Sequence, residues 1–219
     1  MSDATAQGRR APHPAPVSNP HFTHIHRRHD PALGATLATL HPGDFYVAEP
    51  GEWIGTVLGS CVSACVRDAR LGIGGMNHFM LPMDSIEGGT WIGSPSASAA
   101  TRFGNVAMER LINEILKRGG QRAQLEFKLV GGGKVLDALT DIGARNIQFV
   151  RDYVLTEGFR VVGEDLGDLY PRKVLFEPAT GSARVKKLAR AARTAVVADE
   201  ARYLQRIDHA PVAGDIELF

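Results

Sequence analysis

At 219 residues, 44% hydrophobic and 22% charged, the chain is long enough for one globular domain with a core and appendages. Its net charge of +1 argues against binding nucleic acid or an anionic membrane electrostatically. No apolar run approaches the ~20 residues that span a bilayer, so no membrane insertion is expected.

The N-terminus has basic residues but no apolar h-region, so a secretory signal is not expected. The two cysteines, Cys61 and Cys65, form no disulfide framework, and a reducing cytoplasm is the natural setting. Residues 1–43 read as a flexible arm: Pro12, Pro14, Pro16 and Pro20 oppose regular structure, and apolar residues are sparse. The arm holds six of the eight histidines, with His21, His24, His26 and His29 clustered. A metal site would need a rigid scaffold to fix ligand geometry, and none is legible, so no metal is expected there.

A core domain is expected over 44–187. Phe45–Ala48 and Trp53–Leu58 read as strands, and Cys61–Arg67 has β-rich composition. Asp68 to Gly72 is a polar, glycine-ended turn into a return strand, Ile73–Leu81, stopped by Pro82. Met83–Gly93 reads as a loop. A helix then runs from a Ser94 or Ser96 cap through Ala99, Phe103, Met108, Leu111 and Ile115 to Lys117-Arg118-Gly119-Gly120. Leu125–Val130 alternates as a strand ending at Gly131-Gly132-Gly133.

A second helix is expected from Ile142 or Gly143 to Glu157, ended by Gly158. Phe159–Gly163 and Lys173–Phe176 read as strands, with a hairpin through Thr180-Gly181 into Ala183–Val185. Residues 188–219 read as a helical extension and tail, whose apolar last residues, 214–219, suggest docking on this chain or a partner. Strands first, then helices mixed with strands, predict an α+β fold: an α/β sandwich of mixed, largely antiparallel sheet with flanking helices.

The chemistry concentrates between Thr56 and Pro82. Thr56-Val57-Leu58-Gly59-Ser60-Cys61 delivers an apolar strand to a thiol, and Gly74-Gly75-Met76-Asn77-His78-Phe79 places an imidazole 17 residues later. A thiol and an imidazole are the minimum parts for cysteine nucleophilic catalysis, with the imidazole as base. If the two segments form a hairpin centred between Ala69 and Arg70, paired residue numbers sum to 139. Cys61 and His78 would then stand directly opposite, with Cβ atoms ~4.5–5.5 Å apart. Thr56, Asn77 and Ser60 are candidates to orient the histidine. Backbone N–H groups around Gly59-Ser60-Cys61 are candidates for an oxyanion hole.

The structural alternatives are specific. A buried cysteine is often a small apolar residue, which is the preferred reading of Cys65. The glycine triplet lacks the Gly-Lys-Ser/Thr ending of a phosphate loop. On these residues alone, catalysis and a structural role for Cys61 and His78 stand level.

Leu58-Gly59-Ser60-Cys61 with Gly74 to Pro82 resembles the CheD family, the chemoreceptor glutamine deamidases of bacterial chemotaxis. The likeness continues through Gly131-Gly132-Gly133 and Ile142-Gly143-Ala144-Arg145-Asn146 to Arg172 and Thr180-Gly181. It implies an α/β sandwich related to a bacterial toxin deamidase, with a Cys-His-Thr set. Cys61 matches the nucleophile and His78 the base. The family's threonine can lie six residues before the cysteine, where this chain has Gly55; Thr56, five before, is the candidate if a β-bulge turns it toward His78.

The implied reaction converts glutamines of methyl-accepting chemoreceptors to glutamate with release of ammonia, using no metal or organic cofactor. It also implies receptor cytoplasmic helices as partners and the cytoplasm as location. Two competing expectations are a regulatory module that partners a CheC-type phosphatase or a receptor complex, and a cysteine hydrolase of unrelated substrate.

Overall fold

The computed structural model describes residues 22–82, 95–135 and 142–208. The strands, in chain order, are β1 (His26–Asp30), β2 (Ala35–Thr39), β3 (Phe45–Val47), β4 (Trp53–Leu58), β5 (Val62–Asp68), β6 (Ile73–Asn77), β7 (Leu125–Gly131), β8 (Arg160–Leu166), β9 (Arg172–Glu177) and β10 (Ser182–Lys187). The helices are α1 (Pro95–Lys117), α2 (Ile142–Thr156) and α3 (Arg190–Asp208). One sheet has the order β1-β2-β4-β9-β10 and the other β3-β6-β5-β7-β8. Only β2–β4 and β7–β8 pair in parallel among these neighbours. The architecture is therefore the α+β sandwich of mixed, largely antiparallel sheet that the sequence predicts.

Alternation sorts side chains into two cores. Along β5, Val62, Ala64 and Val66 face α1 and α2 and join Phe79, Met108, Leu111, Ile115, Phe127 and Phe149. Cys61 and Cys65 face the other way, into the space between the sheets, with Ile54, Leu58, Met76, Met80, Val174 and Phe176. The layers thus run sheet, sheet, helices. Trp53–Leu58 and Ile142–Thr156 match the expected strand and second helix to within a residue.

Two expectations are corrected. The first concerns the arm. Residues 26–39 are not irregular: β1 and β2 form an antiparallel hairpin, and β2 continues the sheet beside β4. Phe22 and Ile25 are buried against Phe45 and Tyr46. Alternation in such a short, polar strand is weak, and pairing with β4 supplies what composition does not show. Residues 1–21 lie outside the described residues, as do the expected loop at 83–93 and the terminal segment 214–219.

The second correction concerns register. Cys65 pairs with Met76 and Val66 with Gly75, and Val62 bridges Phe79, so paired numbers sum to 141 rather than 139. The turn is centred between Arg70 and Leu71. Asp68 Oδ1 accepts the N–H groups of Arg70 and Leu71 at 2.9 and 3.0 Å, and Gly72 closes the loop onto Asp68 O at φ +68°. Cys61 and His78 are consequently diagonal rather than opposite neighbours. A diagonal keeps both on one face, because the displacement is two residues.

Candidate active site

Cys61 lies in the link that carries the chain from β4 in one sheet to β5 in the other. Three carbonyls of this link are tied back. Gly133 N–H donates to Gly59 O at 2.7 Å, Gly132 N–H to Cys61 O at 2.8 Å, and Asn146 Nδ2 to Ser60 O at 2.9 Å. Fastening the carbonyls on one side turns the N–H groups of Gly59, Ser60 and Cys61 to the other, as a nest of donors. Gly132 must be glycine to do this: its φ is +67°, and a Cβ would lie 2.4 Å from Ile147. Behind the loop, buried Arg172 donates to Gly131 O at 3.0 Å and Gly167 O at 2.5 Å.

Thr56 reaches the site by plain alternation along β4. Ile54, Thr56 and Leu58 point inward, and the β4–β9 register runs unbroken over these residues, so the expected bulge is absent from this pairing. Thr56 Oγ1 donates to Leu40 O at 2.9 Å and lies 2.8 Å from His78 Nδ1. A hydroxyl has one proton, and Leu40 O takes it. His78 Nδ1 therefore carries a proton and donates to Thr56, which leaves Nε2 with a lone pair. Nε2 is buried without a hydrogen-bond partner among the described residues. The sequence-expected arm thus enters the site, since Leu40 directly follows β2.

Cys61 Sγ, a ring nitrogen of His78 and a carboxylate oxygen of Glu200 all lie within 4.8 Å of one another and are fully buried. Glu200, on α3, was invisible to sequence reasoning. Its Oε1 accepts the N–H groups of Gly59 and Cys61 at 2.8 and 3.1 Å. Its Oε2 accepts Ser60 N–H at 2.8 Å and Ser60 Oγ–H at 2.7 Å. The only available signal was the stripe Val196, Glu200, Tyr203, which is buried at helical spacing and has a carboxylate in the middle. Cys, His and Glu are also metal-ligand types. Four donors already converge on the two Glu200 oxygens, however, which is the surrounding of an anion rather than of a cation's ligand.

Burial sets the protonation of the pair. Desolvation, with a smaller effect of His41, lowers the His78 pKa to about 3. Desolvation first, and then the Glu200 carboxylate, push the Cys61 thiol well above its ordinary value. In this form the site holds a neutral thiol beside a neutral imidazole. A cleft of about 250 Å³, bordered by Thr56, His78, Lys173, Val196 and Glu200, runs alongside.

Of the sequence candidates, Thr56, Gly59, Ser60, Cys61 and His78 converge. Asn77 does not. Its Oδ1 accepts Ala64 N–H at 2.8 Å and its Nδ2 donates to Ala107 O at 3.1 Å, so it fastens α1 to the opposite face of the sheet. Adjacent strand residues point to opposite faces, which excludes Asn77 from the face that His78 occupies. Cys65 is buried between the sheets, where burial raises its pKa to about 12, and it takes no part in the cluster.

Comparison with known proteins decides the family. The CheD chemotactic sensory transduction family matches residues 80–187. The chain is 56% identical over 200 residues to the probable chemoreceptor glutamine deamidase CheD of Halorhodospira halophila, covering 91% of this chain and 92% of that one. The chain belongs to the CheD family. The similarly named CheD proteins of Hydrogenovibrio crunogenus and Hahella chejuensis are 50% and 44% identical over 190 and 208 residues. These alignments cover 87% and 95% of this chain and 97% of each relative. Among solved structures, Bacillus licheniformis YfiH overlaps with a TM-score of 0.34 and 10% identity over 56% of this chain and 50% of that one, too little to argue from. Among the described residues, no helix of this CheD chain is long and apolar enough to cross a membrane.

Proposed function

We propose that this CheD protein deamidates glutamine side chains of chemoreceptors, acting on their cytoplasmic helices, with Cys61 as nucleophile and His78 as base. The observation that carries the reading is the hydrogen-bond pattern: Thr56 takes the Nδ1 proton of His78, so Nε2 is left bare on a ring that has a nitrogen within 4.8 Å of the Cys61 thiol. The names of the relatives supply the substrate class.

Neither ion of a Cys–His pair is comfortable in so dry a pocket, which favours transfer of the thiol proton to Nε2 as sulfur attacks. Sγ bonds to the amide carbon, and its oxygen becomes an oxyanion facing the N–H groups of the 59–61 loop. Collapse breaks the C–N bond, and ammonia leaves with the proton from His78. Water then hydrolyses the thioester to glutamate and restores the thiol. His78 Nδ1–H bonded to Thr56 keeps the ring in the required tautomer through both halves.

The test is mass spectrometry of a receptor cytoplasmic domain incubated with the protein. Wild type is expected to convert amides to acids, and Cys61→Ala to convert none. Equal conversion by both would sink the reading.

A further inference from the structure

We infer that α3 is a tethered product analogue: Glu200 occupies the position of the glutamate that deamidation yields, and α3 must withdraw before a helix-borne glutamine can enter. The inference rests on the deamidase reading and adds a resident inhibitor and a mode of substrate presentation.

Three observations carry it. First, Glu200 ends in the group that a glutamine becomes, and it meets all three N–H groups of the Gly59–Cys61 loop within 3.1 Å. Those donors cannot serve an oxyanion while a carboxylate holds them. Second, room for that carboxylate is built in: a Cβ on Gly59 would lie 2.7 Å from Glu200 Oε2. Third, the carrier is a helix attached along one stripe. Val196, Glu200 and Tyr203 are buried, whereas Asp199, Ala201 and Arg202 between them are exposed. Tyr203 seats on Gly43, where a Cβ would lie 2.8 Å from its ring. Arg193 Nε also donates to Val135 O at 2.6 Å, and Leu204 and Ile207 pack partly buried against the inter-sheet core. A helix attached along one stripe and otherwise exposed is the kind that opens locally without global unfolding. The Glu200 charge also favours the protonated thiol, so the occupied state is chemically silent as well as sterically closed.

The register yields a chemical consequence. In an E200Q chain a primary amide replaces the carboxylate beside Cys61. Sγ attacks that amide carbon, ammonia leaves with the His78 proton, and water releases Glu200, so the chain reaches wild-type mass.

The experiment uses full-length wild type, E200A, E200Q, and E200Q combined with C61A, with circular dichroism to verify folding. Iodoacetamide modification of Cys61, followed by peptide mapping, is expected to be at least about tenfold faster in E200A, as expected for relief of a dominant closed population. E200A should also deamidate a receptor cytoplasmic domain faster than wild type. E200Q should drift to wild-type mass, and the C61A double variant should keep its amide. Tyr203→Ala loosens the seat of α3 on Gly43 and serves for the iodoacetamide arm if E200A does not fold.

Unchanged Cys61 modification in folded E200A, or in folded Tyr203→Ala where E200A does not fold, overturns the inference. So does slower receptor deamidation by E200A, which would make Glu200 part of the machinery. Retention of the amide by an E200Q chain that modifies receptor normally overturns the product register. If E200A opens Cys61 and E200Q converts itself, yet no variant touches the receptor domain, the receptor reading fails and the tethered analogue stands.

Discussion

Thr56 Oγ1 and His78 Nδ1 lie 2.8 Å apart across the gap between the two sheets, and the hydroxyl proton is committed to Leu40 O. Thr56 sits in β4 of one sheet, while His78 follows β6 of the other. The His78 imidazole, the proposed base, is therefore oriented by the packing of one sheet on the other. Thr56 is a positioning residue in this arrangement, since it acts through the imidazole.

Thr56→Val keeps the shape and removes the acceptor of the Nδ1 proton. The ring is then free to take the other tautomer, which puts a proton where a lone pair is needed. We expect kcat to fall about 100-fold with KM nearly unchanged, in line with the worth of a correctly placed general base. Thr56→Ser restores the acceptor and should recover most of the rate. Steady-state kinetics on a receptor domain check both; equal loss in the valine and serine variants would assign Thr56 a packing role only.

His78 makes stability depend on pH with a defined sign. Its pKa falls from 6.5 to about 3 on folding because burial penalises the imidazolium. The unfolded chain therefore binds a proton below pH 6.5 that the folded chain refuses. The contribution is complete above pH 6.5 and is lost as pH falls toward 3, at up to about 1.4 kcal/mol per pH unit. Urea midpoints of wild type and His78→Gln between pH 7 and 5 should converge as the pH falls. A constant difference would contradict the buried neutral state.

Asn146 links the Gly59–Cys61 loop to the segment that follows His78. Its Oδ1 accepts Leu81 N–H and its Nδ2 donates to Ser60 O, both at 2.9 Å. Asn146→Leu leaves two buried backbone groups unpaired, each costing about 1–3 kcal/mol. Denaturation should show a loss of about 2–6 kcal/mol, and amide exchange at Leu81 should quicken. A neutral effect would mean that water replaces both bonds.

Local patterning made much of this protein legible. Alternating apolar residues mark β4 and β7, helical spacing and a terminal glycine mark α2, and the thiol and imidazole announce themselves by residue type. Cys61 and His78 emerged on one face even with the wrong turn centre, because a displacement of two residues preserves strand parity. What remained hidden was non-local. The β1–β2 hairpin is short, with a polar β1, and β2 pairs with β4; through Leu40 it then sets the tautomer of His78. Asn77 looked like a neighbour of the site because adjacency in sequence is not adjacency across a sheet. Glu200 lies 139 residues from Cys61 and carries no local mark of its role. Residue type and period thus determined the elements and the reactive pair, since both follow from short-range backbone geometry. Which carbonyl takes the threonine proton, and which carboxylate fills the donor nest, was decided only by how the layers and α3 pack.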